Sequence, residues 1–221
     1  MTGYLFVAFV FGVFIPYASR RFSKFMPATF AGALVELFRW GKKNKNYRRN
    51  KLYRLFFARS VGFGFLTAFV IGAAYLHFGS LGLSFLSTYF LILFLLAEID
   101  FRTCLLPDIL TVPLLIIGFV VSVTGNGFVM PNEAALGAFI GYFLPVLASL
   151  LMVWYRKDAF GGGDIKLLAA LGAWLGVEGL LYVIVLSSFF GIGYACLRRR
   201  RVLAFGPMLA LSGIIVAFWL F

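Results

Sequence analysis

Apolar stretches recur along the chain, each closed by a short break of glycine, proline, asparagine or charge. A membrane-spanning helix needs roughly 20 mostly apolar residues, fewer where its ends lie in protein. Eight candidate spans follow, at about 4–18, 60–77, 81–99, 107–124, 133–154, 165–177, 179–197 and 203–221. Gly79-Ser80 separates the second from the third. Gly125-Asn126-Gly127 and Pro131-Asn132 follow the fourth. Glu178 splits the sixth from the seventh, and Arg198 to Arg201 split the seventh from the eighth. The sixth is short, and suits a half-helix or re-entrant segment whose backbone is covered by protein. The first stretch, Tyr4 to Ala18, lacks a basic leader and a small-x-small cleavage site, so it is read as a true span.

Composition supports lipid as the solvent. The 221 residues are 62% hydrophobic and 13% charged, with a mean hydropathy of +0.99. Soluble domains run roughly 45–50% apolar and about 25% charged. The expected fold is therefore an all-α polytopic membrane protein with about eight transmembrane helices. Its expected divisions are a first transmembrane helix at 1–19, a basic cytosolic loop at 20–59 and a membrane-embedded core at 60–221.

The net charge of +12 would suggest nucleic acid in a soluble protein; here position explains it better. With the N-terminus outside, the inside segments hold Arg102, Arg156, Lys157, Arg198 to Arg201 and twelve basic residues between Arg20 and Arg59. Lys166 lies just within the sixth span at the same side. The outside loops carry only Glu133 and Glu178. Cationic loops stay in the cytosol, so both termini are expected outside. Within the long loop, Phe25 to Phe38 is apolar but interrupted by Pro27 and Glu36. It suits an amphipathic helix on anionic headgroups, or else a solvated basic loop that serves topology alone.

Acidic residues at membrane depth carry the candidate chemistry. Asp100 ends the third span and Asp164 begins the sixth after Gly161-Gly162-Gly163, so opposed helix directions bring both to the cytosolic side. Asp164 could instead be a helix N-cap, and for Asp108, after Pro107, the cap is the expected role. Asp100 stands at a helix C-terminus, where the macrodipole disfavours negative charge. Glu98 points elsewhere on that helix and is interfacial or at most touches substrate. Two carboxylates at close range share one proton, and such a pair can cleave a peptide without metal or cofactor. The glycines would admit an extended peptide. His77 is the only histidine, at the outer end of the second span, and Cys104 and Cys196 form no CxxC pair. A Ser-His triad, a zinc site and a dithiol redox site thus have little support. Two non-enzymatic readings remain, a transporter using the aspartates as a proton relay and a structural assembly subunit. A relay would want acids at mid-bilayer or on both sides.

The segment Phe160-Gly161-Gly162-Gly163-Asp164-Ile165-Lys166-Leu167-Leu168 resembles the GxGD core of bacterial prepilin peptidases, the type IV leader peptidases. Ile99-Asp100, with Leu106-Pro107-Asp108 and Leu110 to Pro113, resembles the family's other aspartate block. Phe205-Gly206-Pro207-Met208-Leu209 is similar to its C-terminal motif, and Phe11 to Phe14 with Arg20-Arg21 is a weaker match. The resemblance covers roughly 85–221. It implies an aspartyl endopeptidase of the bacterial inner membrane that removes short basic leaders from prepilins or pseudopilins at the cytosolic face. By the resemblance Asp100 and Asp164 would be catalytic; by their own chemistry and position, Gly161, Gly162, Gly163, Glu98, Asp108 and Lys166 are the expected substrate contacts. No metal and no nucleic acid are implied. S-adenosylmethionine would serve only if methylation of the new N-terminus is retained. Many members carry paired CxxC motifs in the first cytosolic loop; 20–59 has no cysteine, which puts that second activity in doubt. Another GxGD protease, of the presenilin or archaeal preflagellin type, is the rival within the class; the Leu-Pro-Asp and Phe-Gly-Pro blocks favour the bacterial family.

Overall fold

The computed structural model describes residues 2–25, 51–78, 83–152, 161–198 and 204–221, and all regular secondary structure among them is helical. Most of the basic loop, Gly79-Ser80, Arg156 to Asp158 and Arg199 to Arg201 lie outside the described residues. The helices are α1 (Thr2–Phe25), α2 (Lys51–Phe78), α3 (Leu83–Thr103), α4 (Asp108–Val123), α5 (Pro131–Met152), α6 (Gly162–Arg198) and α7 (Gly206–Leu220). Both α1 and α2 reach into the stretch expected to be loop, over 20–25 and 51–59.

Five of these helices, α1, α2, α3, α5 and α6, are long and apolar enough to cross a membrane; α4 and α7 are shorter and apolar. Their outward side chains are apolar as well, with Phe69 75% and Phe189 72% exposed. That surface suits lipid, and the protein is an all-α, multi-pass membrane protein.

The chain forms two compact units, Met1–Ile99 and Asp100–Phe221. In the first, α1 and α2 pack antiparallel through small residues. A Cβ on Gly12 would lie 1.9 Å from Thr67 Oγ1 and 2.7 Å from the Phe63 carbonyl oxygen. Thr67 in turn donates a hydrogen bond to the Ala8 carbonyl at 3.0 Å. Such close approach of backbones replaces the hydrophobic drive that helices lack in lipid.

In the second unit, α5 and the start of α6 also meet backbone to backbone. A Cβ on Gly137 would sit 2.3 Å from the Gly172 carbonyl oxygen, and one on Gly141 2.5 Å from that of Leu168. Leu167 to Leu175 are buried throughout, and Trp174 Nε1 donates to the Leu114 carbonyl of α4 at 2.9 Å.

The helix α6 is not continuous. Gly176, with φ 69° and ψ −171°, breaks it, in the left-handed region that glycine enters without strain. Past the break, Gly179 approaches Leu220 and Tyr182 packs edge-on against Trp219 at 5.0 Å, so the second arm meets the end of α7. Had α6 run straight on, Arg198 would stand about 50 Å from Gly206. The eight steps from Arg198 to Gly206 can span about 29 Å at most. The second arm therefore turns back alongside α7. With α6 counted as two arms, the described residues hold eight helical segments in the expected order. The break is at Gly176 rather than Glu178.

These contacts define two ends of the second unit. At one, Ser122 Oγ donates to the Val129 carbonyl at 2.7 Å, Gly176 faces Val129 and Glu133, and Phe128 stacks on Phe221. At the other stand Asp100 and the starts of α4, α6 and α7.

Candidate active site

Asp100 occupies the last turn of α3, and its side chain is buried, 4% exposed. The helix ends three residues later, where Cys104 donates its N–H to the Asp100 carbonyl at 2.8 Å and takes a left-handed φ of 52°. That turn leads into Leu106-Pro107-Asp108. Leu106 is buried against Gly163: a Cβ on Gly163 would lie 2.7 Å from Leu106 Cβ and 3.0 Å from its carbonyl oxygen. The Leu-Pro-Asp turn and the triple-glycine turn thus pack on each other.

This packing sets the position of Asp164, which lies in the first turn of α6, not at its cap. Its N–H bonds to the Gly161 carbonyl at 3.0 Å, and its side chain is half-buried. A Cβ on Gly161 would come within 3.1 Å of Asp164 Oδ2. Asp164 lies within electrostatic range of Asp100. The unit therefore gathers the two aspartates from segments 64 residues apart in sequence.

A third segment completes the group. Gly206, the first residue of α7, donates its N–H to Asp100 Oδ2 at 2.8 Å in a buried hydrogen bond. The α3 macrodipole disfavours a charge at Asp100, but the N-terminal end of α7 faces it and favours one. The Phe-Gly-Pro block could be quoted from the sequence, yet no local signal ties it to an aspartate more than a hundred residues earlier.

The other candidate residues fall into different places. Lys166 Nζ forms an ion pair with Asp108 Oδ2 at the mouth of the group, with both side chains exposed. The cap expected of Asp108 is not made: Pro107 holds the N-cap position and no side chain caps α4. Glu98 belongs to the first unit, where it is buried and paired with Arg59 Nη2 at 2.7 Å. Of the three glycines, Gly161 is tied to Asp164 and Gly163 to Leu106, while a Cβ on Gly162 would meet nothing within 4 Å. His77 stands in the last turn of α2.

Fold and site together define an all-α membrane protein that sets two interacting aspartates at one end of a helical unit, one of them held by the N-terminus of another helix. Residues 87–196 match the type IV leader peptidase family. It is 43% identical over 135 residues to the prepilin leader peptidase/N-methyltransferase of Escherichia coli K12, a match covering 58% of this chain and 59% of that protein. The proteins of that name from Aeromonas hydrophila and Xanthomonas campestris pv. campestris are 44% and 42% identical, over 58% and 56% of this chain and 47% and 46% of theirs. The chain thus spans about half the length of the curated relatives it matches. No solved structure matches it.

Proposed function

We propose that this chain is a membrane aspartyl endopeptidase that cleaves the leader from prepilin-like proteins at the cytosolic face of the bacterial inner membrane, with Asp100 and Asp164 as its catalytic pair. The observation that carries the reading is the convergence of these two carboxylates at one end of the second unit. One ionised carboxylate takes a proton from water, the water attacks the scissile carbonyl, and the protonated partner donates to the carbonyl oxygen. The pair titrates as a unit. The peptidase step requires no cofactor or metal. The relatives' names favour a prepilin substrate, and the inside placement of lysine and arginine favours the cytosolic face. Gly161, Gly162, Gly163 and Lys166 border the pair and are the proposed substrate contacts, with Asp108 as Lys166's partner. Anionic headgroups are the proposed partner of the basic loop. The relatives' names also include N-methyltransferase; without cysteines in the loop, this chain is proposed to leave the new N-terminus unmethylated.

Co-expression with a prepilin tests these points together, with the product analysed by N-terminal sequencing and mass spectrometry. Asp100→Asn and Asp164→Asn are each expected to abolish cleavage while the protein remains inserted. Full cleavage by either variant would sink the pair. A mature product heavier by one methyl group, with S-adenosylmethionine present, would overturn the second point and make that molecule a substrate of this chain.

A further inference from the structure

Asp100 projects from the end of its own helix, where no backbone N–H of that helix remains to receive its side chain. The group that meets it comes from α7, whose first turn is unusual in its donors. Pro207 has no N–H. Met208 and Leu209 both donate to the Phe205 carbonyl, at 3.0 and 3.1 Å. No side chain caps the helix. Gly206 is left as the first-turn donor without a partner in α7, and its N–H goes to Asp100 Oδ2. Glycine permits the approach as it stands: a Cβ at this position would lie 2.8 Å from Asp100 Oδ2 and 3.0 Å from both its Cβ and Cγ, so the carboxyl would have to shift. Asp100 is buried, and a carboxyl pushed aside by a new methyl would move off the donor.

We infer that Gly206 is a positioning residue for Asp100: its N–H fixes Oδ2, leaves Oδ1 for the chemistry, and its missing side chain is the space the carboxyl occupies. The inference rests on the reading of Asp100 and Asp164 as the reacting pair. A shift of the carboxyl by a fraction of an ångström would disturb the reacting geometry while leaving the peptide-binding surface in place. Gly206→Ala should therefore lower kcat about tenfold or more, the loss expected for a charge-assisted hydrogen bond, with KM held within about twofold. Gly193→Ala, at a helical glycine of α6 whose Cβ would meet nothing within 4 Å, should change neither.

Cleavage kinetics of the full chain in lipid, beside Asp100→Asn, make the first test. If Asp100→Asn cleaves normally, the catalytic reading fails; if it is inactive while Gly206→Ala keeps full kcat, this inference alone fails. Thermal unfolding makes the second and needs no activity. Asp100→Gly removes the three atoms that lie nearest to the new methyl. Gly206→Ala should thus lower the unfolding midpoint in the native background and leave it unchanged in the Asp100→Gly background. Equal losses in the two backgrounds, including failure of both to fold, would show that the glycine serves something other than Asp100, and the inference would be withdrawn.

Discussion

Asp108 sits one residue inside α4, and that single step changes what it does. A cap must precede the first turn so that its oxygen can reach back to the free N–H groups. Pro107 takes that place, with extended φ and ψ of −74° and 131°, so the Asp108 carboxyl turns to Lys166 instead. An exposed pair of this kind contributes about 0–1 kcal/mol. Asp108→Asn should accordingly lower stability by less than about 1 kcal/mol and leave cleavage within a few-fold of normal; calorimetry in detergent and initial rates check it. Loss of activity equal to that of Asp164→Asn would give Asp108 a part in the chemistry. Glu98 has the same lesson from the other side. Nothing near it in sequence marks Arg59 as its partner, because the pairing is made between α2 and α3. Residue types and their depth along the chain were legible; partners supplied by another helix were not.

Among the elements, α6 shows where the hydrophobic pattern runs out. Apolar residues continue through 165–177 and 179–197, and Glu178 is the only charge between them. A charge marks a break by its cost in lipid, whereas the break itself is made by a backbone angle. Gly176 supplies that angle two residues earlier. The first arm is shorter than a bilayer, and its length suits a half-helix or re-entrant segment that needs cover by protein; the residues that cover it lie on α4 and α5 and carry no mark of that role. Gly172 is the closest point of that cover: a Cβ there would fall 2.1 Å from the Gly137 carbonyl oxygen and 2.4 Å from its carbon. Backbone cannot swing aside as a side chain can. Gly172→Ala should cost at least about 2 kcal/mol and reduce folded yield, measured by protease resistance in the membrane. Unchanged resistance would mean that α5 and α6 have more freedom than their packing suggests.

At the scale of the second unit, helix register fixes how deep the aspartates lie. Gly137 faces Gly172 and Gly141 faces Leu168, so paired numbers sum to 309 and Asp164 stands level with Pro145. The helix α5 continues to Met152, about 10 Å further, with Leu147, Leu150 and Leu151 exposed along the way. At this end α4, the first arm of α6 and α7 stop short together, each about 21–24 Å long against a hydrocarbon layer of about 30 Å. Lipid beside α4 and α7, whose outer side chains are exposed, faces a hydrophobic mismatch, and thinning the leaflet is one way to relieve it. If the proposed activity holds, the protein would carry its own dimple in the bilayer, through which water and a peptide would reach the carboxyls. Cleavage in vesicles should then slow as acyl chains lengthen, because a thicker leaflet resists the dimple. A rate indifferent to chain length, with the protein equally inserted throughout, would mean that protein alone keeps the approach open.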